Sequence, residues 1–234
     1  MTDVNGEYII TYRVSDAAGN TTQVDRTVIV YDDGNPLVGD IANGGVVFWV
    51  NPDDNTHGLV AAINCESPSL NLQILPWRPD FNLSDCTYFG PYSLIGNTEI
   101  GGGLENTNRI IALNTGCDRG EKTNYAAYFA RNYKGGGYND WYLPNLTEVE
   151  LFNESFSQTR RAVFRENCDQ GVGWEYYFAY QNTEVWSSNG VLDNVIASQR
   201  QTHATAGIIS APYPFYSRKF DKLEKKLVLP IRAY

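Results

Sequence analysis

Residues 6–30, GEYIITYRVSDAAGNTTQVDRTVIV, alternate with a period of two. Tyr8, Ile10, Tyr12 and Val14 fall on one side of a pleat, and Ile9, Thr11 and Arg13 on the other. The same period resumes after Asp16–Asn20 at Val24, Arg26, Val28 and Val30, and the Ala-Gly-Asn turn supplies residues that tolerate positive φ. Residues 1–32 are therefore predicted to form a β-hairpin. Two strands alone are marginal in water, so this face needs further apolar cover.

DDGNPLVGD breaks the alternation, and residues 33–40 are predicted to be a linker. The remainder, residues 41–234, mixes two periods. Gly44–Val50 and Gly58–Asn64 read as short buried strands on either side of the polar turn NPDDNTH. Four prolines between residues 65 and 103 preclude a long helix there. ENTNRIIALNTG then has a polar start at Asn106–Thr107 and a stop at Gly116. TNYAAYFARNYKGGG places Ala126, Phe129, Ala130 and Tyr133 at helical spacing, with Gly135–Gly137 turning the chain afterwards. PNLTEVELF makes Asn145 an N-cap with Glu148 three residues on, a capping box. Leu227, Leu229 and Ile231 alternate as a final strand. The expected class is α+β, with short strands and about three helices.

A net charge of −9 argues against nucleic acid as a partner, because phosphate neutralisation needs a basic face. The closing stretch is nonetheless locally basic at Arg218, Lys219, Lys222, Lys225, Lys226 and Arg232, a pattern expected of a solvated strand edge. No apolar run is long enough to span a membrane, and the start lacks the regions of a signal peptide. The chain is accordingly expected to be part of a longer exported protein. Cys65, Cys86, Cys117 and Cys168 stand at spacings that match no zinc motif. They are expected to form two disulfides, with all three pairings open.

ARNYKGGGYNDWYLPNLTEVELF, together with GGVVFWV, HGLVAAIN, IGGGLENTNRIIA, EVWSSNG and LVLPIRAY, resembles one family over nearly all of residues 40–234. It is typified by the C-terminal domain of the Legionella collagen-like adhesin, a domain of unknown function. The hairpin in turn resembles the last two strands of bacterial Ig-like repeats found in surface stalks. The resemblance implies a C-type-lectin-like domain at the end of an extracellular fibre, on a cell surface or a phage tail. It also implies a homotrimer, although this chain has no collagen or heptad repeat. Within the matched run, Trp141 and Leu143 should anchor a loop whose N–H groups Asp140 accepts.

No motif of nucleophilic, phosphate-binding or dinucleotide chemistry occurs, and the expectation is a binding module rather than an enzyme. Asn189–Phe220 is rich in amides, hydroxyls and rings without a hydrophobic period, as recognition loops are. The expected contacts are Asn194, Arg200, Gln201, His203, Tyr213 and Tyr216, bordered by Trp186, with a cell-surface glycan or protein receptor as partner. The competing reading is a trimerisation or capping domain with no ligand of its own. No cofactor is called for. Calcium stays open at two acidic turns, Asp53–Asn55 and Asp32, Asp33 and Asp40.

Overall fold

The computed structural model describes residues 6–30, 34–62, 73–79, 96–115, 123–159, 183–190, 203–209 and 216–234. The chain divides into two units, Met1–Asn35 and Pro36–Tyr234.

In the first unit, β1 (Gly6–Ser15) pairs antiparallel with β2 (Thr21–Val30), and Tyr8 faces Val28 while Tyr12 faces Val24. The turn is fixed by Asp16, whose carboxylate accepts the N–H groups of Ala18 and Asn20 and the Asn20 side-chain amide at 2.7–2.9 Å. These bonds hold the Asp16 carboxyl below its ordinary range.

The second unit is mixed α+β. Its strands are β3 (Ile41–Ala42), β4 (Gly45–Val50), β5 (Gly58–Ala62), β6 (Ile74–Pro76), β7 (Thr183–Gly190), β8 (His203–Ile209), β9 (Tyr216–Asp221), β10 (Lys225–Leu227) and β11 (Ile231–Ala233). Its helices are α1 (Gly102–Thr115), α2 (Ala126–Asn132) and α3 (Leu146–Thr159). The strands form a sheet in the order β11-β5-β4-β3 and another in the order β6-β10-β7-β8-β9. Only the β10–β7 pair is parallel among the described strands.

Helix α3 joins the sheets by burial. Val149 and Phe152 pack with Val46, Phe48 and Leu59 of one sheet and with Val185 and Leu227 of the other. Phe48 and Phe152 meet edge to face at 5.5 Å. Helices α1 and α2 bring Ile110, Ala126 and Ala130 into a second cluster with Trp186, Ala204 and Ala206.

Four expectations need correction. The closing strand is two strands: β10 joins one sheet and β11 the other, and Val228–Pro230 crosses between them. Pro230 has no N–H to offer a ladder, and its carbonyl instead accepts Ala62 N–H at 2.9 Å. Helix α1 begins at Gly102, well ahead of Asn106–Thr107, because its first N–H groups find a partner distant in sequence, described below. Asn189–Phe220 contains β8 and β9 rather than loop alone. The linker's end already belongs to the second unit, since Gly39 N–H bonds the Val47 carbonyl and Val47 N–H the Asp40 carbonyl.

Candidate binding surface

Asn145, Glu148, Tyr142, Asn106, Ser188 and Asn189 converge on a buried polar network. Asn145 and Glu148 close the expected capping box, Asn145 Oδ1 accepting Glu148 N–H at 2.9 Å and Glu148 Oε2 accepting Asn145 N–H at 2.7 Å. Glu148 then reaches further than a local cap. Its Oε1 accepts Gly101 N–H at 2.8 Å, at the start of α1, and the Tyr142 hydroxyl at 3.1 Å. One carboxylate thus serves two helix N-termini. Gly103 is required beside it, because a Cβ there would run into Glu148 Oε2. Burial pushes the Glu148 carboxyl above its ordinary range, against the opposing pull of its backbone donors and Tyr142. Burial, and next the Glu148 charge, also push the Tyr142 hydroxyl upward.

Around this pair the amides are spent on structure. Asn106 donates to the Asn97 carbonyl at 2.8 Å and to Ser188 Oγ at 3.2 Å. Asn189 Oδ1 accepts Leu146 N–H at 2.7 Å, and Ser187 Oγ donates to the Thr205 carbonyl at 2.8 Å. Trp186, expected to border a ligand, is 0% exposed. Its indole N–H donates to the Leu75 carbonyl at 2.9 Å, and its ring meets Phe220 edge to face. It packs the core between β6 and β9 and offers no face to a ligand.

The YNDW run is a clamp. Trp141 is buried and donates to the Gly135 carbonyl at 3.2 Å, and Leu143 is buried beside it. Gly136 has φ 65°, and a Cβ there would strike the Gly44 backbone. Asp140 takes up a forked guanidinium beside a backbone N–H of its own loop. Arg232 Nε and Nη2 donate to its two oxygens at 2.7 and 3.0 Å, Nη1 donates to the Asn43 carbonyl, and the group stacks 3.8 Å from the Tyr138 ring centre. Arg232 holds the Asp140 carboxyl below its ordinary range.

The basic stretch is likewise not one solvated edge. Lys222 is wholly buried over the Trp77 ring, and Lys226 is bound by Glu184 and Glu224. Those two carboxylates outweigh the burial that opposes charge and raise the Lys226 ammonium. Arg218, Lys219 and Lys225 remain exposed.

Of the expected contact residues, Asn194, Arg200, Gln201 and Tyr213 lie outside the described residues, as do all four cysteines, Asp32 and Asp33. His203 opens β8 opposite Asp221. Tyr216 opens β9 and is 37% exposed. Cross-strand partners share a face, so Tyr216, Arg218 and Phe220 lie with Ile208, Ala206 and Ala204. The Arg218 guanidinium stands 5.5 Å from the Tyr216 ring centre. Tyr216, Ser217, Arg218 and Lys219 are all exposed. This strip is the candidate surface; it lies within the expected Asn189–Phe220 stretch, but Ser217, Arg218 and Lys219 were not among the expected contacts. The available signal was a charged pair placed directly after a ring near the end of the amide-rich stretch.

In the acidic turn, Asp54 is occupied locally. It accepts the Thr56 N–H and hydroxyl at 3.1 and 2.6 Å, and it meets His57 Nδ1 at 2.5 Å. Asp40 accepts Leu37 N–H at 2.8 Å. Among the described residues no group of three acidic, His or Cys side chains converges as metal ligands would. None of the described helices is long and apolar enough to cross a membrane.

No protein-family model matches the chain, and no curated protein matches it.

Proposed function

We propose that this chain is an extracellular recognition module, the tip of an adhesin or a tail fibre, with a C-type-lectin-like domain that binds a cell-surface carbohydrate or protein receptor. The single observation that carries the reading is the Tyr216–Arg218 pair, an exposed ring and guanidinium in contact on a hydrogen-bonded strand. Such a pair offers a flat stacking face and forked donors with little conformational freedom left to lose. The polar groups of the matched motifs support it indirectly, since they are consumed in holding α1, α3 and β7 together.

Tyr216→Ala and Arg218→Ala test the reading. Each should weaken binding to receptor-bearing cells, or to a responding glycan on an array, by about 1–3 kcal/mol, the size of a hot-spot truncation. Both side chains are exposed, so the melting temperature should hardly move. Unchanged binding by both variants would remove this surface from recognition.

A further inference from the structure

Resting on the receptor reading, we propose that the outer edge of β9 is a strand-addition site for an extended, acidic peptide segment. Among the described residues, β9 is the outermost strand of its sheet and is six residues long. The other edges of this unit are poorer templates. β3 has two residues, β6 has three and ends in Pro76, and β11 is bridged through Ile231 to Tyr142. Among the described residues no strand pairs with the outer side of β9, and an open edge of ladder length invites a further strand.

Charge then selects the occupant. Alternation sends Tyr216 and Arg218 to one face of the sheet and Ser217 and Lys219 to the other, and all four are exposed. A strand laid alongside also projects side chains to both faces, so two consecutive acidic residues would meet Arg218 above and Lys219 below. Opposite charges across a ladder are favourable and like charges are not. A second copy of β9 would set cation against cation, which disfavours self-pairing at this edge. Among the described residues no carboxylate pairs with Arg218 or Lys219, although the chain as a whole carries a net charge of −9. A saccharide would engage only the face that bears Tyr216 and Arg218. The two-faced placement of the cations therefore favours a peptide.

The test uses the whole chain and the synthetic peptide acetyl-Thr-Val-Thr-Glu-Glu-Thr-Val-Thr-amide. Binding should shift the amide resonances of Tyr216–Asp221. Replacing both glutamates by lysine, or methylating alternate backbone nitrogens, should abolish it. Reversing both charges in the chain, Arg218→Glu with Lys219→Glu, should weaken the Glu peptide roughly tenfold, the combined size of two cross-strand pairs turned repulsive, and should admit the Lys peptide. An unshifted melting temperature shows that the variant is folded. Equal binding by the methylated or Lys peptide, or no binding of the Glu peptide, overturns strand addition. So does a charge-reversed chain that keeps the parent's attachment to receptor-bearing cells, an outcome that also takes Arg218 out of recognition and leaves the receptor reading to the Tyr216→Ala test. A parent chain that takes the Glu peptide but attaches to no cell or glycan overturns the receptor reading instead.

Discussion

Glu148 sits where three stretches of sequence meet, and its two oxygens serve Gly101, Tyr142 and Asn145. Its opposite number is Asp140, half exposed and forked to Arg232. The two carboxyls lean opposite ways with pH. Asp140 is depressed by Arg232, so its contribution is fully present above the unfolded carboxylate value and is lost as pH falls through the depressed value. Glu148 is raised by burial, so the folded state holds its proton more tightly than the unfolded chain does. Its contribution is then greatest below the ordinary value of 4.5 and declines as pH rises through the raised one. Glu148→Gln removes that titration and turns an amide toward N–H donors. The stability of the parent relative to the variant, read from urea midpoints between about pH 4 and about pH 8, should therefore shrink as pH rises. A gap that widens would mean that the donors outweigh the burial. Sequence disclosed half of this residue: the spacing of Asn145 and Glu148 announced the cap on α3, but nothing local announced the reach to Gly101.

The elements repeat the lesson at larger size. α3 starts where its cap dictates, and that start can be tested by removing parts of the cap separately. Asn145→Ala loses both the bond from Glu148 N–H and the 2.6 Å donation to the Glu99 carbonyl, and should cost about 1–2 kcal/mol in urea denaturation. Asn145→Ser keeps a side-chain oxygen for the cap and should recover a good part of that loss. Equal losses would shift the weight from the cap to the Glu99 bond. α1 resisted reading because its first turn is satisfied by Glu148, while Asn106 and Thr107, which look like a polar start, are buried inside it. β8 resisted because two of its three buried positions on that face, Ala204 and Ala206, are small, and Gly207 precedes the third, Ile208, so the alternation is weak. β1 and β2 were plain because Tyr8, Ile10, Tyr12 and Val14, and then Val24, Arg26, Val28 and Val30, recur at every second position.

For the whole molecule, the mixed class with three described helices was legible, and the division of the chain falls inside the polar stretch that the sequence marked. Trp186 was harder to place, since its partners Leu75 and Phe220 lie far from it along the chain. The extracellular reading has its own test at this scale, in the four cysteines of a chain rich in glycine and polar turns. An oxidising compartment would close them as two disulfides, each worth about 2–4 kcal/mol through the closed loop. A reducing compartment would leave four thiols at spacings that suit no zinc site. Thiol titration of the denatured, unreduced protein should therefore find no reactive groups, and reduction should lower the melting temperature. Mass spectrometry of an unreduced digest would then choose among the three pairings. Four titratable thiols in protein recovered from its native setting would contradict the disulfides and the exported location together, and with them a receptor on another cell's surface.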